Sequence, residues 1–539
     1  MTIRSLRAEL AGDPAVGAAN VLTTRVEREL DPDTPALTFD TAVDGHPAWK
    51  PLSVRELDRA VRARAAALDG LGVRRGDPVA VQTADAADNV LAFLALSRLG
   101  AVPALVNPLL DGERTARYLA GLGRGTRVGL IADPEHLAAL DGRPHAVLAG
   151  IGTLAAGDPE AAPVPYRPWG GDPVAVTHSS GTTGLPKAVV HSHDSLYAAI
   201  RYRLGLPRPQ GAHRMLSALP SPHAATLIAV NLALSFGSEL LLLSRQTGPQ
   251  VLDAIESWRP GSVYGFASTW TDLARYDLGA RDLDSVALWW NTGDCAHATH
   301  IRRLTAVGSR EEAARGGRVR TPGSVFVDGL GSTEMGHSHF FISHTAASTR
   351  FGRCVGRPHS FVDCAILDPD GHELPAGEVG ELGTRSPTLA LGYWNDSAAT
   401  YRTRSRGYFL TGDLMYRDEE GFYYHLDRAV DAVDLGDGLR LYTAQAEEQV
   451  LAACPDVFDC TVVAVRREGN AVTDILLQLV PDADPRADRT ARVLAALAPH
   501  VAATVREVLV VADEDLPLGP TGKVRKVLLR ERHLAEVGG

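Results

Sequence analysis

The sequence predicts an α/β protein with a large N-terminal domain of parallel or mixed sheets layered with helices, followed by a small, mobile α+β domain. Residues 52–110 carry helix, strand, helix and strand signals in turn, which is typical of a parallel sheet covered by helices. Beyond residue 428 the pattern changes to a short series of helices and strands of small-domain size, which begins with a predicted helix over residues 443–453. We therefore predict two domains, over residues 1–426 and 427–539.

The first helix–strand unit has clear local signals. Ser53 with Glu56 three residues later has the spacing of a capping box, so it predicts a helix start. The apolar segment 78–82 predicts a strand, residues 87–99 a helix, and the apolar segment 100–108 a second strand. This order establishes the class of fold only, because any α/β enzyme shows it.

A loop rich in hydroxyl groups and glycine lies between two apolar, β-branched runs at residues 176–190. The flanking runs predict one strand entering the loop and one leaving it. Inward-facing N–H groups, hydroxyls and one ammonium suit a polyphosphate, although the spacing is not that of a Walker P-loop. The predicted phosphate-binding residues are Ser179, Ser180, Gly181, Thr182, Thr183, Gly184 and Lys187.

Lysine is scarce in this chain, which otherwise uses arginine for its positive charge. The only lysines are Lys50, Lys187, Lys523 and Lys526. A compact ammonium does not replace a planar guanidinium at a phosphate, so the retained lysines indicate chemistry. Lys523 lies in a Gly/Pro-rich loop that we expect to be mobile, whereas Lys526 is better explained as a residue at a helix start.

Several predicted strands end in polar turns, where open α/β sheets bind ligands. His223 follows an apolar strand over 215–219. The other turns contain Gly293, Asp294 and Cys295, then Leu330, Thr333 and Glu334, and finally Asp413, which Arg428 follows. Residues 310–318, with mixed charges and glycines, predict a solvated loop.

Composition excludes several classes of function. A net charge of −11 and a pI near 5.9 give no support for nucleic-acid binding. The five cysteines form no zinc pattern, and the N-terminus lacks the apolar core of a signal peptide. Polar residues interrupt the most apolar stretch, 227–243, which predicts a buried element and not a membrane span. We expect a cytoplasmic protein with reduced thiols and no membrane partner.

The segment from Ser180 to Lys187 resembles the phosphate loop of the adenylate-forming superfamily, which includes acyl-CoA synthetases, peptide-synthetase adenylation domains and beetle luciferases. The resemblance implies ATP and Mg²⁺, with Glu334 as the metal ligand and Thr333 at a phosphate. It also implies that Lys523 bridges the substrate carboxylate and the α-phosphate, and that His223 approaches that carboxylate. It further implies an adenine-side turn at Gly293, Asp294 and Cys295, an apolar wall at Leu330 in place of the usual aromatic, and ribose or phosphate contacts from Asp413 and Arg428.

The implied reaction is conversion of a small carboxylic acid and ATP to acyl-AMP and pyrophosphate. Our first hypothesis adds transfer to a thiol, either CoA or the phosphopantetheine of an acyl carrier protein. The hinge segment departs from the family pattern at Val430 and Asp434 and by an apparent one-residue insertion at Asp437 before Gly438. The alternative is therefore an enzyme that only adenylates and passes acyl-AMP to a separate protein, an amine or another nucleophile. A third hypothesis is a nucleotide-binding protein without catalysis. The region expected to form the pocket favours an aryl or hydrophobic acid over an α-amino acid.

Overall fold

The structure is a computed structural model that describes residues 3–123, 129–141, 143, 146–179, 185–467, 470–519 and 522–536. Two large sheets and their helices form the N-terminal part, and a small three-stranded sheet lies near the C-terminus. This arrangement confirms the predicted α/β class with a large domain and a smaller C-terminal domain. The predicted boundary between residues 426 and 427 stays a prediction; the strand that contains it ends at Arg428.

The first sheet has seven strands and contains both runs that flank the hydroxyl-rich loop. Its last five strands are parallel, and the two strands around the loop, which the apolar runs predict, pair antiparallel. The paired backbones hold the ends of the loop together. In spatial order the strands are Gly392–Tyr393, Ala188–Ser192, Pro173–His178, Val102–Val106, Pro78–Gln82, Gly129–Ala132 and Ala146–Gly150.

The second sheet has fourteen strands, with a parallel centre and an antiparallel extension. The parallel centre runs through Val325–Asp328, Leu288–Thr292, Ser262–Phe266, Arg214–Ser217, Glu239–Leu242 and Pro35–Phe39, with Pro51–Ser53 antiparallel at the edge. On the other side follow Phe340–His344, Cys354–Pro358, Tyr423–Arg428, Tyr408–Arg417 with Arg404–Ser405, Gly380–Arg385 and Asp363–Leu367.

Helices cover the sheets, and the largest apolar cluster lies between them. The Ser53–Glu56 capping box is confirmed at the start of Val54–Gly70. The other α-helices of the N-terminal part are Ile3–Gly12, Val21–Glu27, Ala86–Leu99, Gly112–Leu122, Pro134–Ala139, Ala198–Leu204, Ala224–Phe236, Gly248–Trp258, Ala267–Leu273, Ala298–Thr305 and Ser397–Arg402. Short 3₁₀ segments occur at Ile151–Ala156, Pro159–Ala161 and Leu278–Ala280, and in the C-terminal part at Asp513–Asp515.

The C-terminal part builds its own apolar core around the sheet Val457–Arg467, Asn470–Leu479 and Val505–Val510. The helix predicted at 443–453 is confirmed as Thr443–Ala453, and the final helix is Lys526–Glu536. The remaining elements are helices Thr490–Ala496 and Pro499–Ala502 and the hairpin Val433–Gly436 with Leu439–Leu441.

The solvated loop predicted at 310–318 is wrong. Strands Ser309–Ala314 and Gly317–Pro322 form an antiparallel hairpin in register from Ser309 opposite Pro322. Nearly all of its side chains are exposed, so no apolar alternation marks the strands in the sequence. The apolar stretch 227–243 is the helix Ala224–Phe236 followed by a buried strand, and none of the helices in the described ranges has the length and hydropathy to cross a bilayer.

Candidate active site

Two of the predicted polar turns lie against each other at the carboxyl edge of the second sheet. Strand Leu288–Thr292 leads into Gly293, whose carbonyl accepts a hydrogen bond from the Gly331 N–H at 2.9 Å. Gly293 has a φ of +88°, a conformation that glycine adopts without strain. Cys295 and Leu330 are both buried in one apolar cluster behind this edge, so Leu330 packs with the protein core.

The Asp294 carboxylate pairs with two cations, one of which comes from the C-terminal domain. The Lys523 ammonium lies 3.1 Å from its Oδ2, and the Arg353 guanidinium lies 3.6 Å from its Oδ1. Burial alone would raise the pKa of Asp294, but Lys523, His425 and Arg353 outweigh it and hold that pKa far below its usual range. The carboxylate therefore stays ionised and keeps the Lys523 ammonium at the sheet edge.

Asp413 and Arg428 are brought together by the register of their strands. They are direct partners in the antiparallel pair Tyr408–Arg417 and Tyr423–Arg428, with 3.4 Å between Arg428 Nε and Asp413 Oδ1. His425 Nε2 also lies 3.4 Å from that oxygen. Asp413 is buried whereas the Arg428 side chain is 50% exposed, so the guanidinium can reach a ligand while its partner holds it.

The Arg428 guanidinium lies near the carboxylates of several residues that are predicted to bind the nucleotide. Its pKa is raised by Asp413 first, against the effect of burial, and then by Asp294 and Glu334. Arg428 therefore lies in the field of carboxylates from separate parts of the chain, with Asp413 in its partner strand and Asp294 and Glu334 in two turns at the sheet edge. A site of this kind, with cations and anions alternating at a sheet edge, suits a nucleotide phosphate with its metal ion.

Glu334 and Lys187 are joined through Tyr393. The Tyr393 hydroxyl donates a hydrogen bond to Glu334 Oε1 at 3.1 Å, and the Lys187 ammonium lies 4.8 Å from the centre of the tyrosine ring. Magnesium usually binds one or two carboxylates together with phosphate oxygens and water. The single Glu334 carboxylate, which keeps a second oxygen outside the tyrosine contact, fits such a group.

Thr333 and His223 meet at the inner end of this edge. The Thr333 hydroxyl lies 3.5 Å from His223 Nε2 and 3.4 Å from the carbonyl oxygen of His178. His223 caps the helix Ala224–Phe236, where its Nδ1 accepts the Ala225 N–H at 3.1 Å. Burial, together with His178, Lys523 and His191, lowers the pKa of His223 to about 3, so the imidazole is neutral. With Nδ1 accepting, the hydrogen-bond pattern assigns the proton to Nε2.

The C-terminal domain is docked in an arrangement that delivers Lys523. Among the contacts that cross the interface, Arg275 pairs with Asp513, His297 Nδ1 lies 2.8 Å from Glu448 Oε2, and His300 Nε2 lies 2.7 Å from the Phe458 carbonyl oxygen. Gly522, with a φ of +74°, turns the chain close to Ser268 immediately before Lys523. Lys526 instead forms a buried pair with Glu447 at 2.7 Å and is structural, as its position suggested.

Most predicted site residues thus converge on one edge. Ser179 is described, and its N–H and hydroxyl bond the Lys187 backbone at 3.1 and 3.2 Å, which closes the base of the predicted loop. Ser180, Gly181, Thr182, Thr183 and Gly184 lie outside the described residues, so their predicted phosphate contacts stay a prediction.

Sequence reasoning missed three residues of this edge. Tyr393, Arg353 and His425 are not among the residues that the sequence predicts for the site. Arg353 has a φ of +63°, a strained conformation for a side-chain-bearing residue. Nothing in the local sequence predicts this conformation of Arg353. For Tyr393 the one local signal is an aromatic residue followed by Trp394 and Asn395.

Comparisons with known proteins found sequence relatives and similar structures over most of the chain. A family model described as AMP-binding enzyme matches residues 25–394. The chain is 39% identical to a 3-aminoavenalumate diazotase of Streptomyces sp, over 99% of both chains. It is 30% identical to a feruloyl-CoA synthase of Amycolatopsis sp, over 77% of this chain and 80% of that protein. A crystal structure of an anthranilate CoA ligase with anthranoyl-AMP superposes with a TM-score of 0.80 at 21% identity, covering 96% of this chain and 97% of the other.

Proposed function

The chain belongs to the AMP-binding enzyme family of adenylate-forming enzymes, and from this premise we propose that it uses ATP to activate nitrite for transfer to an aryl amine. The observation that carries the proposal is the 39% identity to a diazotase along 99% of both chains. The CoA-ligase relative at 30% identity is matched over only 77% of this chain. The altered hinge positions Val430 and Asp434, with the one-residue insertion at Asp437, also favour an acceptor other than a thiol.

The proposed chemistry needs no oxidant. A nitrite oxygen attacks the α-phosphorus of ATP, the bond to the leaving pyrophosphate breaks, and a mixed anhydride of nitrous acid and AMP forms. The amine nitrogen then attacks the nitroso nitrogen, AMP leaves with the bridging oxygen, and the amine loses a proton. The resulting N-nitrosamine tautomerises and loses hydroxide to give the diazonium ion. Adenylation supplies the good leaving group that nitrite itself lacks.

The residues at the sheet edge can be assigned roles in these reaction steps. We assign charge stabilisation at the α-phosphate to Lys523 and Arg428, ribose binding to Asp413, and the β- and γ-phosphates to the loop that Ser179 and Lys187 close. Mg²⁺ bound at Glu334, which we propose as its ligand, supplies charge neutralisation on the phosphates. Positioning and charge stabilisation dominate phosphoryl-type transfers, so no acid–base triad is required.

His223 is well suited to the second step. Its neutral imidazole, hydrogen-bonded toward Thr333, lies near the Lys523 end of the site because Lys523 contributes to its lowered pKa. A neutral donor there can orient the nitroso oxygen without adding charge. We propose the same position for the acyl carboxylate if the substrate is a carboxylic acid.

The experiment supplies nitrite, ATP, Mg²⁺ and 3-aminocinnamate to the full chain and measures pyrophosphate release, AMP and diazonium trapped by coupling to a naphthol. Pyrophosphate release that needs nitrite, with an azo product in equal amount, supports the proposal. Pyrophosphate release driven by aryl acids without nitrite, together with a CoA thioester, would refute it.

The second candidate is the acid–thiol ligase predicted from the resemblance, which the feruloyl-CoA synthase relative favours. In it, acyl-AMP passes to CoA or to the phosphopantetheine of a carrier protein. The same assay separates the two, since hydroxylamine traps acyl-AMP as a hydroxamate. A cytoplasmic location and the boundary near residue 427 stay predictions.

A further inference from the structure

Arg203 is a partly buried cation with no acidic partner among the described residues. It lies at the end of the helix Ala198–Leu204, and its Nη2 is inaccessible to solvent and makes no hydrogen bond. No carboxylate of the described residues forms an ion pair with it, and the titratable groups that act on its pKa are the phenols of Tyr264 and Tyr202. A buried guanidinium is costly without a counter-anion, and burial lowers the pKa of Arg203 to about 10, so it remains charged at neutral pH.

Aromatic rings surround this guanidinium. Its central carbon lies 4.2 Å from the centre of the Trp290 ring, which stacks on Tyr264 at 5.9 Å. His337 and His359, whose ring centres are 6.1 Å apart, are close enough for the positive charge of Arg203 to help lower the pKa of both. Both imidazoles are therefore neutral and offer no negative charge. Trp290, His337 and Arg203 are each only half-buried, so the rings border an accessible space.

The strand pattern locates this cluster relative to the nucleotide edge. Trp290 and Thr292 lie two residues apart on one strand, so they share a face and are separated by about 7 Å. Tyr264 and Phe266 repeat this arrangement on the neighbouring strand, where Phe266 contacts the His223 ring at 4.8 Å. Thr292 and Phe266 thus lie at the end of the proposed substrate pocket nearest the proposed ATP site. Trp290 and Tyr264 lie at the deeper end of that pocket, where Arg203 lies.

We propose that Arg203 binds the carboxylate of an aryl substrate at the end of the pocket remote from ATP, so that the ring lies between the aromatic side chains and a different group faces the α-phosphate. The inference rests on the proposed function, because it leaves the amine of the substrate, and not its carboxylate, at the reacting end. It specifies the substrate class as aryl amines that also carry a carboxylate.

The test measures binding of 3-aminocinnamate and of the matched neutral 3-aminocinnamamide to the full chain by calorimetry without ATP. A charge-assisted pair to a buried guanidinium predicts an acid-over-amide preference of about 10- to 100-fold. Arg203→Met should abolish this preference, Arg203→Lys should keep part of it, and Lys523→Ala should retain it.

Other outcomes overturn the proposal. Equal binding of acid and amide by the unaltered protein does so without any variant, which matters if Arg203→Met fails to fold. An equal loss of both ligands in Arg203→Met indicates a purely structural cation. If the acid-over-amide preference is lost in Lys523→Ala but kept in Arg203→Met, the substrate carboxylate binds at the ATP end of the pocket. Nitrite-dependent pyrophosphate release by the unaltered protein tests the proposed function separately.

Discussion

Replacing Lys523 by alanine should separate catalysis from stability. The Lys523–Asp294 pair joins two side chains that are each 38% exposed, and exposed pairs contribute about 0–1 kcal/mol to stability. We therefore expect the unfolding midpoint of Lys523→Ala to fall by no more than about 2–4 °C.

The expected effect on catalysis is much larger. Removing one preorganised donor from developing transition-state charge costs about 10²- to 10³-fold in kcat, or about 3–4 kcal/mol. Pyrophosphate exchange measures the adenylation step by itself, so it is the appropriate assay. The activity of Lys523→Ala should fall at least a hundredfold while its thermal unfolding hardly changes.

Lys526 provides the matched control, three residues along the chain. Its ammonium lies 2.7 Å from Glu447 and 2.8 Å from the Thr443 hydroxyl, and both charged side chains are largely buried. Breaking a buried pair by removing one partner costs about 3–5 kcal/mol, so Lys526→Ala should destabilise the C-terminal domain. Exchange activity within fivefold of the unaltered enzyme in Lys523→Ala, or the same profile in both variants, would refute the reasoning.

Further predictions concern the metal, the tyrosine and pH. Glu334→Gln should raise the Mg²⁺ concentration needed for half-maximal exchange at least tenfold, because a neutral amide binds the hard cation less well; an unchanged Mg²⁺ titration would contradict this. Tyr393→Phe, which removes the 3.1 Å bond to Glu334 but keeps the ring beneath Lys187, should cost about 3- to 10-fold in exchange, and a loss as large as that of Glu334→Gln would speak against a supporting role. Burial lowers the pKa of His178 and of His191 from 6.5 to about 4. The unfolded chain therefore binds more protons below pH 6.5, and stability should fall by about 2 kcal/mol per histidine between pH 7.5 and 5. Urea unfolding with the same midpoint at both pH values would exclude this.

Local chemistry in the sequence was sufficient for many elements. The Ser53–Glu56 capping box marks a helix start that the structure confirms, and the helix Thr443–Ala453 has its predicted bounds. Strands that end in polar turns were also recognisable, because apolar runs followed by glycine and acids reflect burial and then exposure within a few residues. These signals need no knowledge of distant contacts.

The remaining site residues depend on contacts distant in sequence. Arg353 reaches Asp294 and His425 only because the strands Cys354–Pro358 and Tyr423–Arg428 pair. Tyr393 reaches Glu334 because its short strand pairs with Ala188–Ser192 in the other large sheet. Neither pairing has a local signature, since register is set by sheet packing and not by neighbours in the chain.

The scarcity of lysine was a useful but incomplete guide to chemistry. Lys187 and Lys523 both lie at the edge that the polar turns form, one at the Tyr393 ring and the other at Asp294. Lys526, another of the few lysines, instead forms a buried ion pair, in which its compact ammonium fits between Glu447 and Thr443. A guanidinium would need more space and more acceptors at either kind of position. In an arginine-rich chain a retained lysine therefore marks a place that requires a small cation, and only the side chains around it decide whether that requirement is catalytic or structural.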